Sequence, residues 1–149
     1  MWFFSRGKFI ITPEKWNFAP GETIKGTLGL ILKKPKKAKS ISIALIGERK
    51  VRQMTSNGTR YSTEKIYDFK IPLDGEKEYG ISQANYNFNI RIPADILNQV
   101  PKVDGTLGNI VKAAQMLSGR TATIKWFLES QLDIPHAIDM RTRVQINIA

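Results

Sequence analysis

The chain of 149 residues predicts an all-β fold, an antiparallel β-sandwich of about seven or eight strands. Apolar residues fall on alternate positions in successive segments, as in strands that bury one face. Turn signals such as Pro20-Gly21, Asn57-Gly58 and Asp74-Gly75 separate these segments. A length of 149 residues is that of one domain, so we expect residues 1–149 to form a single sandwich.

The first half of the chain shows the alternation most clearly. A first strand is expected at about Phe9 to Thr12. The turn at Pro20-Gly21 precedes a strand whose alternate residues are apolar: Ile24, Leu28, Leu30 and Leu32. Gly26 lies on the same alternate positions, which indicates a bulge or the close approach of another backbone. A second run follows after a charged stretch and consists of Ile41, Ile43 and Leu45, then Gly47.

The rest of the chain continues the pattern. Asn57-Gly58 predicts a hairpin that joins residues 51–55 to 59–71. Pro72 with Asp74-Gly75 is expected to end the second strand of this hairpin. One face of that second strand is expected to carry Tyr61, Thr63, Tyr67, Phe69 and Ile71. Further strands are predicted by Tyr86, Phe88, Ile90 and Ile92; by Ile124, Trp126, Leu128 and Leu132 with Ser130 as a polar exception; and, after Pro135, by Ile138, Met140, Val144, Ile146 and Ile148 with Thr142 among them.

One segment breaks the two-residue period. From Asp104 to Ser118 apolar residues recur at helical spacing: Leu107, Ile110, Val111, Ala114 and Leu117. Asp104 or Thr106 can cap its start, and Gly119 stands where a glycine commonly ends a helix. We therefore expect a short amphipathic helix at about 104–118 that covers one end of the sandwich, with partner binding as the alternative.

Charge is unevenly distributed along the chain. Residues 1–60 hold 13 Lys and Arg against 3 Glu, whereas residues 61–149 hold 10 basic and 10 acidic residues, so the net charge of +10 lies in the first part. Five positive charges fall within one predicted loop, which we call the lysine segment: Lys33, Lys34, Lys36, Lys37 and Lys39. Such asymmetry indicates an acidic partner, while a merely solvated surface is the alternative.

The residues offer little for catalysis. With no Cys and one His, a Cys-His dyad is impossible and a Ser-His-Asp triad has to use His136. Asp133, His136 and Asp139 are spaced three apart, but Pro135 argues against the helix that would align them as metal ligands. Three acidic residues after Pro72 are typical of a solvated turn: Asp74, Glu76 and Glu78. We expect no enzyme, no metal site and no cofactor.

Three segments in order resemble the arrestin-like domains. Residues 16–32 with 41–48 resemble the family's P-G-E-x-[IV]-x-G turn and the strands that follow it. Residues 79–93, Y-G-I-S-Q-A-N-Y-N-F-N-I-R-I-P, are similar to a later strand segment that ends in proline, and residues 124–133, I-K-W-F-L-E-S-Q-L-D, to a further strand. The family includes arrestins, α-arrestins, the arrestin-like subunit of retromer and bacterial sporulation-control proteins. The resemblance implies an immunoglobulin-like sandwich of two sheets.

The same resemblance implies a non-enzymatic adaptor that binds proteins through loops and sheet edges. In arrestins, basic residues engage phosphorylated tails and a peptide can run along the first strand. The matching candidates here are Arg6, Lys8 and the lysine segment. Arrestins have two tandem sandwiches and this chain has room for one, so the resemblance supports the fold better than it supports phosphate sensing. We expect an acidic or phosphorylated protein partner, and an open edge also permits a homo-oligomer.

Two other partners fit the basic segment. Nucleic acid is the second choice, because the lysine segment has no obvious aromatic stacking platform beside it. An anionic membrane is the third choice, with Trp2, Phe3 and Phe4 as the inserting residues. The short apolar run at the start predicts neither a signal peptide nor a membrane span, and the lack of cysteine fits a reducing compartment. We therefore expect a soluble, cytoplasmic protein.

Overall fold

The computed structural model describes residues 6–98 and 120–149, and most of these residues are in β-strands. Ten strands follow one another in these ranges: β1 (Gly7–Pro13), β2 (Asn17–Phe18), β3 (Thr23–Leu32), β4 (Lys36–Ala38), β5 (Ser40–Thr55), β6 (Gly58–Asp74), β7 (Lys77–Tyr79), β8 (Ala84–Arg91), β9 (Arg120–Asp133) and β10 (Met140–Ile148). A single 3-10 turn, Ile96–Asn98, comes after β8.

The strands form two larger sheets and a small one. One sheet has the order β1-β3-β8, the second has the order β2-β10-β9-β5-β6, and β4 pairs with β7 alone. All pairings are antiparallel except that of the short β2 with the end of β10. The inward faces of the two larger sheets supply one apolar core, so the predicted all-β sandwich is confirmed.

The core strands lie where alternation predicts them. On β3, Ile24 and Leu28 are fully buried, and on β5 the same holds for Ile41, Ile43 and Leu45. Ser130 is also fully buried, and its hydroxyl donates a hydrogen bond to the carbonyl of Thr142 on β10 at 3.2 Å. The three additional strands, β2, β4 and β7, have two or three residues each and are too short to show a two-residue period.

Two glycines mark close approaches, Gly26 as the sequence predicts and Gly47 without such a prediction. A Cβ on Gly26 would lie 2.6 Å from the carbonyl oxygen of Thr12 and 2.7 Å from the ring of Phe88. The register of β3 with β1 and β8 is continuous here, so Gly26 serves a close approach and not a bulge. A Cβ on Gly47 would lie 2.5 Å from the indole of Trp126, which packs edge-on against Tyr67. Only hydrogen fits at either position.

The predicted hairpin is present and extends beyond the core. Thr55 pairs with Gly58, so the turn lies one residue earlier than expected, with Gly58 at a φ of 119°. From Glu48 onward the strands β5 and β6 continue past the core, and β9 pairs with β5 as far as Gln53. We call this three-stranded extension the arm; it comprises residues 48–65 and 120–125.

Several sequence expectations about faces, exposure and strand ends are wrong. A register shift between Gly47 and Glu48 puts Tyr61 and Thr63 on the face opposite to Tyr67, Phe69 and Ile71, so these five residues do not share a face. Phe69 faces inward but lies on the edge strand β6 and is 45% exposed, while Ile138 in the turn before β10 is 83% exposed. Ile124 lies on the arm, beyond the core, and is 38% exposed. Strand β6 does not end at Pro72 but runs to Asp74, because a register shift opposite Ile41 and Ser42 accommodates the proline at the sheet edge.

Two expectations fall on residues that the structure does not describe. The predicted helix at 104–118 and the Trp2-Phe3-Phe4 cluster both lie outside residues 6–98 and 120–149. In the described part of the chain, no helix has the length and apolar character needed to cross a membrane.

Candidate partner-binding site

The lysine segment contains a short strand and is not simply the loop that the sequence predicts. β4 pairs antiparallel with β7, which places Lys37 opposite Glu78 and Ala38 opposite Lys77. Ala38 and Tyr79 are buried in the core and attach this pair of strands to the sandwich. We call residues 33–39 together with β7 the lysine ribbon. Its pairing could not be read from the sequence, because three residues are too few for an alternating pattern.

The ribbon exposes its positive charges. Lys36 is half-buried, and the other four lysines of the segment are exposed: Lys33, Lys34, Lys37 and Lys39. Within residues 6–98 and 120–149, none of these five amines forms an ion pair. Lys77 differs, since its amine pairs with Asp74 at 2.8 Å and lies 5.0 Å from the ring centre of Tyr79. The segment therefore presents its charges to solvent or to a partner.

Asp74 fixes the turn that carries β7. Its carboxylate accepts hydrogen bonds from the Lys77 amine at 2.8 Å, the Gly75 backbone N–H at 2.8 Å and the Tyr86 hydroxyl at 2.9 Å. These donors lower the pKa of Asp74, and the Lys77 hydrogen bond has the largest effect. Burial, followed by the charge of Asp74, raises the pKa of Tyr79 to about 12, and its hydroxyl donates to the Gly75 carbonyl at 2.6 Å. The ribbon thus rests on an ordered base.

The structure brings Arg6 next to the lysine segment. Gly7 is opposite Leu32 in the β1–β3 ladder, and the backbone N–H of Lys33 donates to the Arg6 carbonyl at 3.2 Å. The Arg6 guanidinium donates to the carbonyl of Ile138, in the turn between β9 and β10. Lys8 lies further along β1, opposite Ile31, and is half-buried. Arg6 therefore extends the lysine ribbon directly, whereas Lys8 extends it along the strand.

A narrow cleft runs along the edge of β1 that faces β10. Among the described residues β1 pairs only with β3, and Arg6 with the first residues of β1, as far as Phe9, faces Met140 to Thr142 of β10 across a gap of about 10 Å³. Three of its lining residues are cationic: Arg6, Lys8 and Arg141. Sequence reasoning missed Arg141, because the residue lies 133 positions from Lys8 and only the packing of β10 beside β1 brings them together.

A second, wider groove lies on the other side of the ribbon. It has a volume of about 360 Å³ and mixed charge, with these lining residues: Lys37, Ala38, Glu76, Lys77, Glu78 and Pro135. Glu76 and Glu78 are exposed, so carboxylates alternate with amines along this wall. Such a wall suits a segment with charges of both signs better than a uniform polyanion.

Asp133, His136 and Asp139, which the sequence spaces three apart, have separate roles in the structure. Asp139 accepts the backbone N–H of Ile134 at 2.9 Å and the Gln131 amide at 2.7 Å, so its carboxylate closes the β9–β10 turn. Asp133 contributes its carbonyl to the N–H of Lys39 at 2.8 Å. His136 is exposed, at a φ of 61°. Among the described residues, no group of three or more His, Asp and Glu side chains is arranged to hold a metal ion.

Comparison with known proteins supports the fold. The crystal structure of Spo0M, a sporulation control protein from Bacillus subtilis, is similar with a TM-score of 0.62 and 17% sequence identity. The match covers 96% of this chain and 49% of that one, so the chain spans about half the length of that protein. No family model and no curated protein sequence matches the chain. The predicted arrestin-like sandwich is thereby confirmed as a fold.

Proposed function

We propose that the chain is a non-enzymatic protein-binding module that captures an acidic or phosphorylated segment of a partner protein. The lysine ribbon supplies the attraction, and the cleft along β1 receives the segment as it leaves the ribbon. Arg6 connects the two surfaces, since its backbone pairs with Lys33 and its side chain lines the cleft. Strand addition at β1 would supply main-chain hydrogen bonds.

One observation carries this proposal: the five lysines of the segment form no ion pair within the described part of the chain, although β7 brings Glu76 and Glu78 close to them in space. Lysines that serve only to solubilise a surface are usually interspersed with exposed charges of the other sign. Here five positive charges fall within seven residues and continue into a cleft lined by Arg6, Lys8 and Arg141. Cations therefore extend from the segment into the cleft, where Arg141 also lies 3.9 Å from the carboxylate of Asp139.

The carboxylates beside the ribbon favour a protein over nucleic acid as its partner. Glu78 lies opposite Lys37, and Glu76 and Glu78 line the adjacent groove. These charges repel a continuous line of phosphates but can pair with basic residues that flank an acidic peptide segment. The cleft at β1 is too narrow for a nucleic acid strand. It can open to admit an extended peptide only if Phe9 and Met140 move apart, so we expect the binding to order this edge.

The test uses labelled peptides of ten residues in three versions: glutamate-rich, phosphoserine-containing and glutamine-rich. Fluorescence anisotropy at 50 and 150 mM salt measures their affinity for the full chain. A variant with Gln at Lys33, Lys34, Lys36, Lys37 and Lys39 is expected to bind the acidic peptides at least about tenfold more weakly, because close charge contacts are removed. Tighter binding of the phosphoserine peptide than of the glutamate peptide would identify phosphate as the preferred ligand.

A matched control removes the same charge elsewhere. It carries Gln at five exposed cations away from the ribbon: Lys25, Lys50, Arg52, Arg60 and Lys125. We expect its affinity to stay within about threefold of the unchanged chain, since exposed charges beyond about 8 Å are largely screened at 150 mM salt. Equal losses in both variants would show that net charge and not the ribbon attracts the peptide, and the proposal would fail.

The cleft and the open edge make separate expectations. Hydrogen exchange at the amides of β1 is expected to slow when the acidic peptide binds, whereas exchange at the edge strand β6 stays unchanged. Replacing Arg141 by Gln is expected to weaken peptide binding about threefold while leaving the ribbon intact.

Self-association through the same edge predicts a dimer in light scattering that the acidic peptide dissociates. We expect the cytoplasm as the compartment, on the cysteine-free composition.

A further inference from the structure

The arm carries more positive charge than any role in folding requires. Residues 48–65 and 120–125 contain seven basic residues, Arg49, Lys50, Arg52, Arg60, Lys65, Arg120 and Lys125, against the two acidic residues Glu48 and Glu64. From residue 49 to residue 63 there is no acidic side chain. Strand β5 begins beside the lysine ribbon at Ser40 and has 16 residues, so the tip of the arm lies about 50 Å away along the strand.

Both carboxylates of the arm already have partners. Glu48 pairs with Arg143 of β10 at 3.0 Å, and Glu64 pairs with Arg49 across the hairpin. Lys65 pairs with Asp68 at 3.3 Å. Among the described residues, no carboxylate forms an ion pair with the four remaining cations whose side chains are described: Lys50, Arg52, Arg60 and Lys125. The charge excess of the arm is therefore available to a ligand.

Three of these cations lie on one face. The register places Lys50 opposite Thr63 and Thr123, Arg52 opposite Tyr61, and Lys125 opposite Glu48. Because side chains alternate between the faces of a sheet, Lys50, Arg52 and Lys125 share the face that is continuous with the outer face of the five-stranded sheet. The same face presents hydroxyl groups on Thr59, Tyr61, Thr63 and Thr123. Cations and hydrogen-bond donors are thus mixed on one exposed surface.

On the outer face over the core, Arg143 has carboxylate partners. Arg143 binds Glu129 at 2.8 Å and Glu48 at 3.0 Å, and its guanidinium lies 4.6 Å from the ring centre of Phe127. Beyond Glu48 on this face, the contacts of the cations on β5 are with neutral groups: the Lys50 amine lies 4.9 Å from the ring centre of Tyr61, and Arg52 donates to the sulfur of Met54 at 3.7 Å. Solubility alone does not require this separation.

We propose that this face of the arm binds the phosphate backbone of nucleic acid without sequence preference. Arg52 offers a planar fork of donors that matches phosphate oxygens, and lysine amines and hydroxyl groups supply further donors. Lys50 and Arg52 are two residues apart on one strand, so their backbone positions are about 7 Å apart on the same face. The surface spans about 10 Å across three strands, which is comparable to the major groove width of about 12 Å.

The residue types on this face favour nucleic acid over a membrane or an acidic protein. Insertion into a membrane needs a cluster of large apolar side chains, yet the tip offers only Met54 and Tyr61, and Met54 accepts a hydrogen bond from Thr59 at 3.4 Å. An acidic peptide held by strand addition would lie along the edge strand β6, whereas Lys50 and Arg52 project from β5, the central strand of the arm. Among the described residues, the one carboxylate of the arm on this face, Glu48, pairs with Arg143, whereas Glu78 of the lysine ribbon has no ion-pair partner, so this face repels phosphates less.

The test measures the salt dependence of binding to a labelled 20-base-pair DNA duplex of arbitrary sequence, with the 20-nucleotide single strand alongside. If Lys50, Arg52 and Lys125 contact phosphates, the slope of log K against log salt is about −3, and affinity falls roughly 50-fold between 50 and 200 mM salt. The variant K50Q/R52Q/K125Q is expected to lose about three units of that slope. The variant K50R/R52K/K125R keeps the charges and is expected to keep the slope within about one unit.

Three results would overturn the proposal. One is a shallow slope in the unchanged chain. Another is a loss of DNA binding in the equally charged ribbon variant K33Q/K34Q/K37Q as large as the loss in the arm variant. The third is flotation with phosphatidylserine vesicles that depends on the arm while DNA binding does not. Circular dichroism and urea midpoints within about 0.5 kcal/mol of the unchanged chain show that each variant is folded, since all three residues are exposed.

Discussion

The two halves of β5 lie in opposite environments although they form one continuous strand. All residues from Ile41 to Gly47 are buried, on both faces of the sheet, whereas all residues beyond Gly47 are exposed or half-buried. The first half pairs with β6 and β9 over the core, and the second half pairs with the same two strands in the arm. The backbone pairing is equal, so the difference arises from the side chains and from what covers them.

This contrast separates stability from binding along a single strand. Burial of apolar area contributes most of the folding free energy, and it ends at Gly47. Beyond that point the arm is held by its ladder hydrogen bonds and by exposed ion pairs such as Arg49 with Glu64, which stabilise little. Charges can accumulate in the arm because no packing constraint opposes them. The chain thereby places a polar surface on a stable base.

The largest expected effect compares Leu45 with Val51. Leu45 is fully buried, so Leu45→Ala is expected to lower the free energy of unfolding by about 2–5 kcal/mol, through lost burial and the cavity left behind. Val51 is half-buried in the arm, and Val51→Ala is expected to lower it by less than about 1 kcal/mol. Urea titration followed by circular dichroism measures both. Equal destabilisation would contradict the contrast between the two halves.

Gly47 marks the boundary and gives the next largest effect. Gly47→Ala would place a methyl group 2.5 Å from the Trp126 indole, and overpacking of this kind costs about 1–3 kcal/mol. The loss of glycine flexibility in the unfolded chain offsets about 0.5–1 kcal/mol. A net destabilisation of about 1–2 kcal/mol is therefore expected in urea titration.

A double-mutant cycle provides the control for Gly47. If the clash with Trp126 is the cause, Trp126→Leu makes room and the combined variant is less destabilised than the sum of the single changes, by about 1 kcal/mol. Strict additivity would show that the boundary is set by something other than this contact.

A smaller difference in stability is expected between a cation with carboxylate partners over the core, Arg143, and a cation of the arm, Arg52. Burial lowers the pKa of Arg143, but hydrogen bonds to Glu129 and Glu48 outweigh this effect and raise it. Arg143→Gln leaves those partly buried carboxylates without their cation and is expected to lower the free energy of unfolding by about 1–2 kcal/mol. Arg52→Gln in the arm is expected to change it by less than about 0.5 kcal/mol. A larger effect at Arg52 would mean that the arm contributes to stability.

The alternation of apolar residues predicted which side chains of β5 face the core. It did not predict which other side chains are buried, because that depends on the residues that pack over the strand. Ile41, Ile43 and Leu45 follow from the two-residue period, but the burial of Ala44 and Ile46 on the opposite face does not. Phe127 lies opposite Ile46 on the neighbouring strand, with the Arg143 guanidinium over its ring, and both residues come from distant sequence. The exposure of Phe69 has the same origin, because only the strand order identifies β6 as an edge.

The candidate surfaces show a similar division. A run of lysines in one segment can be recognised by composition, and the adjacency of Arg6 to Lys33 follows once β1 is paired with β3. The clustering of cations on one face of the arm could not be predicted from the sequence, because they come from three separate segments of the chain. Lys50 and Lys125 share a face only through the register of β5 with β9. Pairing between distant segments is a property that a single sequence does not display.

Asp74 gives the smallest expected effect and tests the base of the ribbon at the core end of β6. Hydrogen bonds from Lys77, Gly75 and Tyr86 lower the pKa of its carboxyl in the folded chain. The resulting stabilisation is fully present above the unfolded pKa of about 3.9 and is lost as the pH falls through the lower folded value. Asp74→Asn is therefore expected to lower the free energy of unfolding at pH 7 by up to about 1 kcal/mol, discounted for the partial exposure of the pair with Lys77.

Urea titrations at pH 7, 4 and 3 check this expectation, because the difference between Asp74→Asn and the unchanged chain is expected to shrink toward pH 3. Glu64→Gln in the arm serves as the matched control and is expected to change the free energy by less than about 0.5 kcal/mol at pH 7, since Glu64 is 52% exposed. A difference for Asp74→Asn that stays constant across this pH range would mean that its shape and not its charge supports the turn. In that case the packing of Tyr79 would hold the lysine ribbon on the sandwich, and protonation of Asp74 at low pH would not move the lysines.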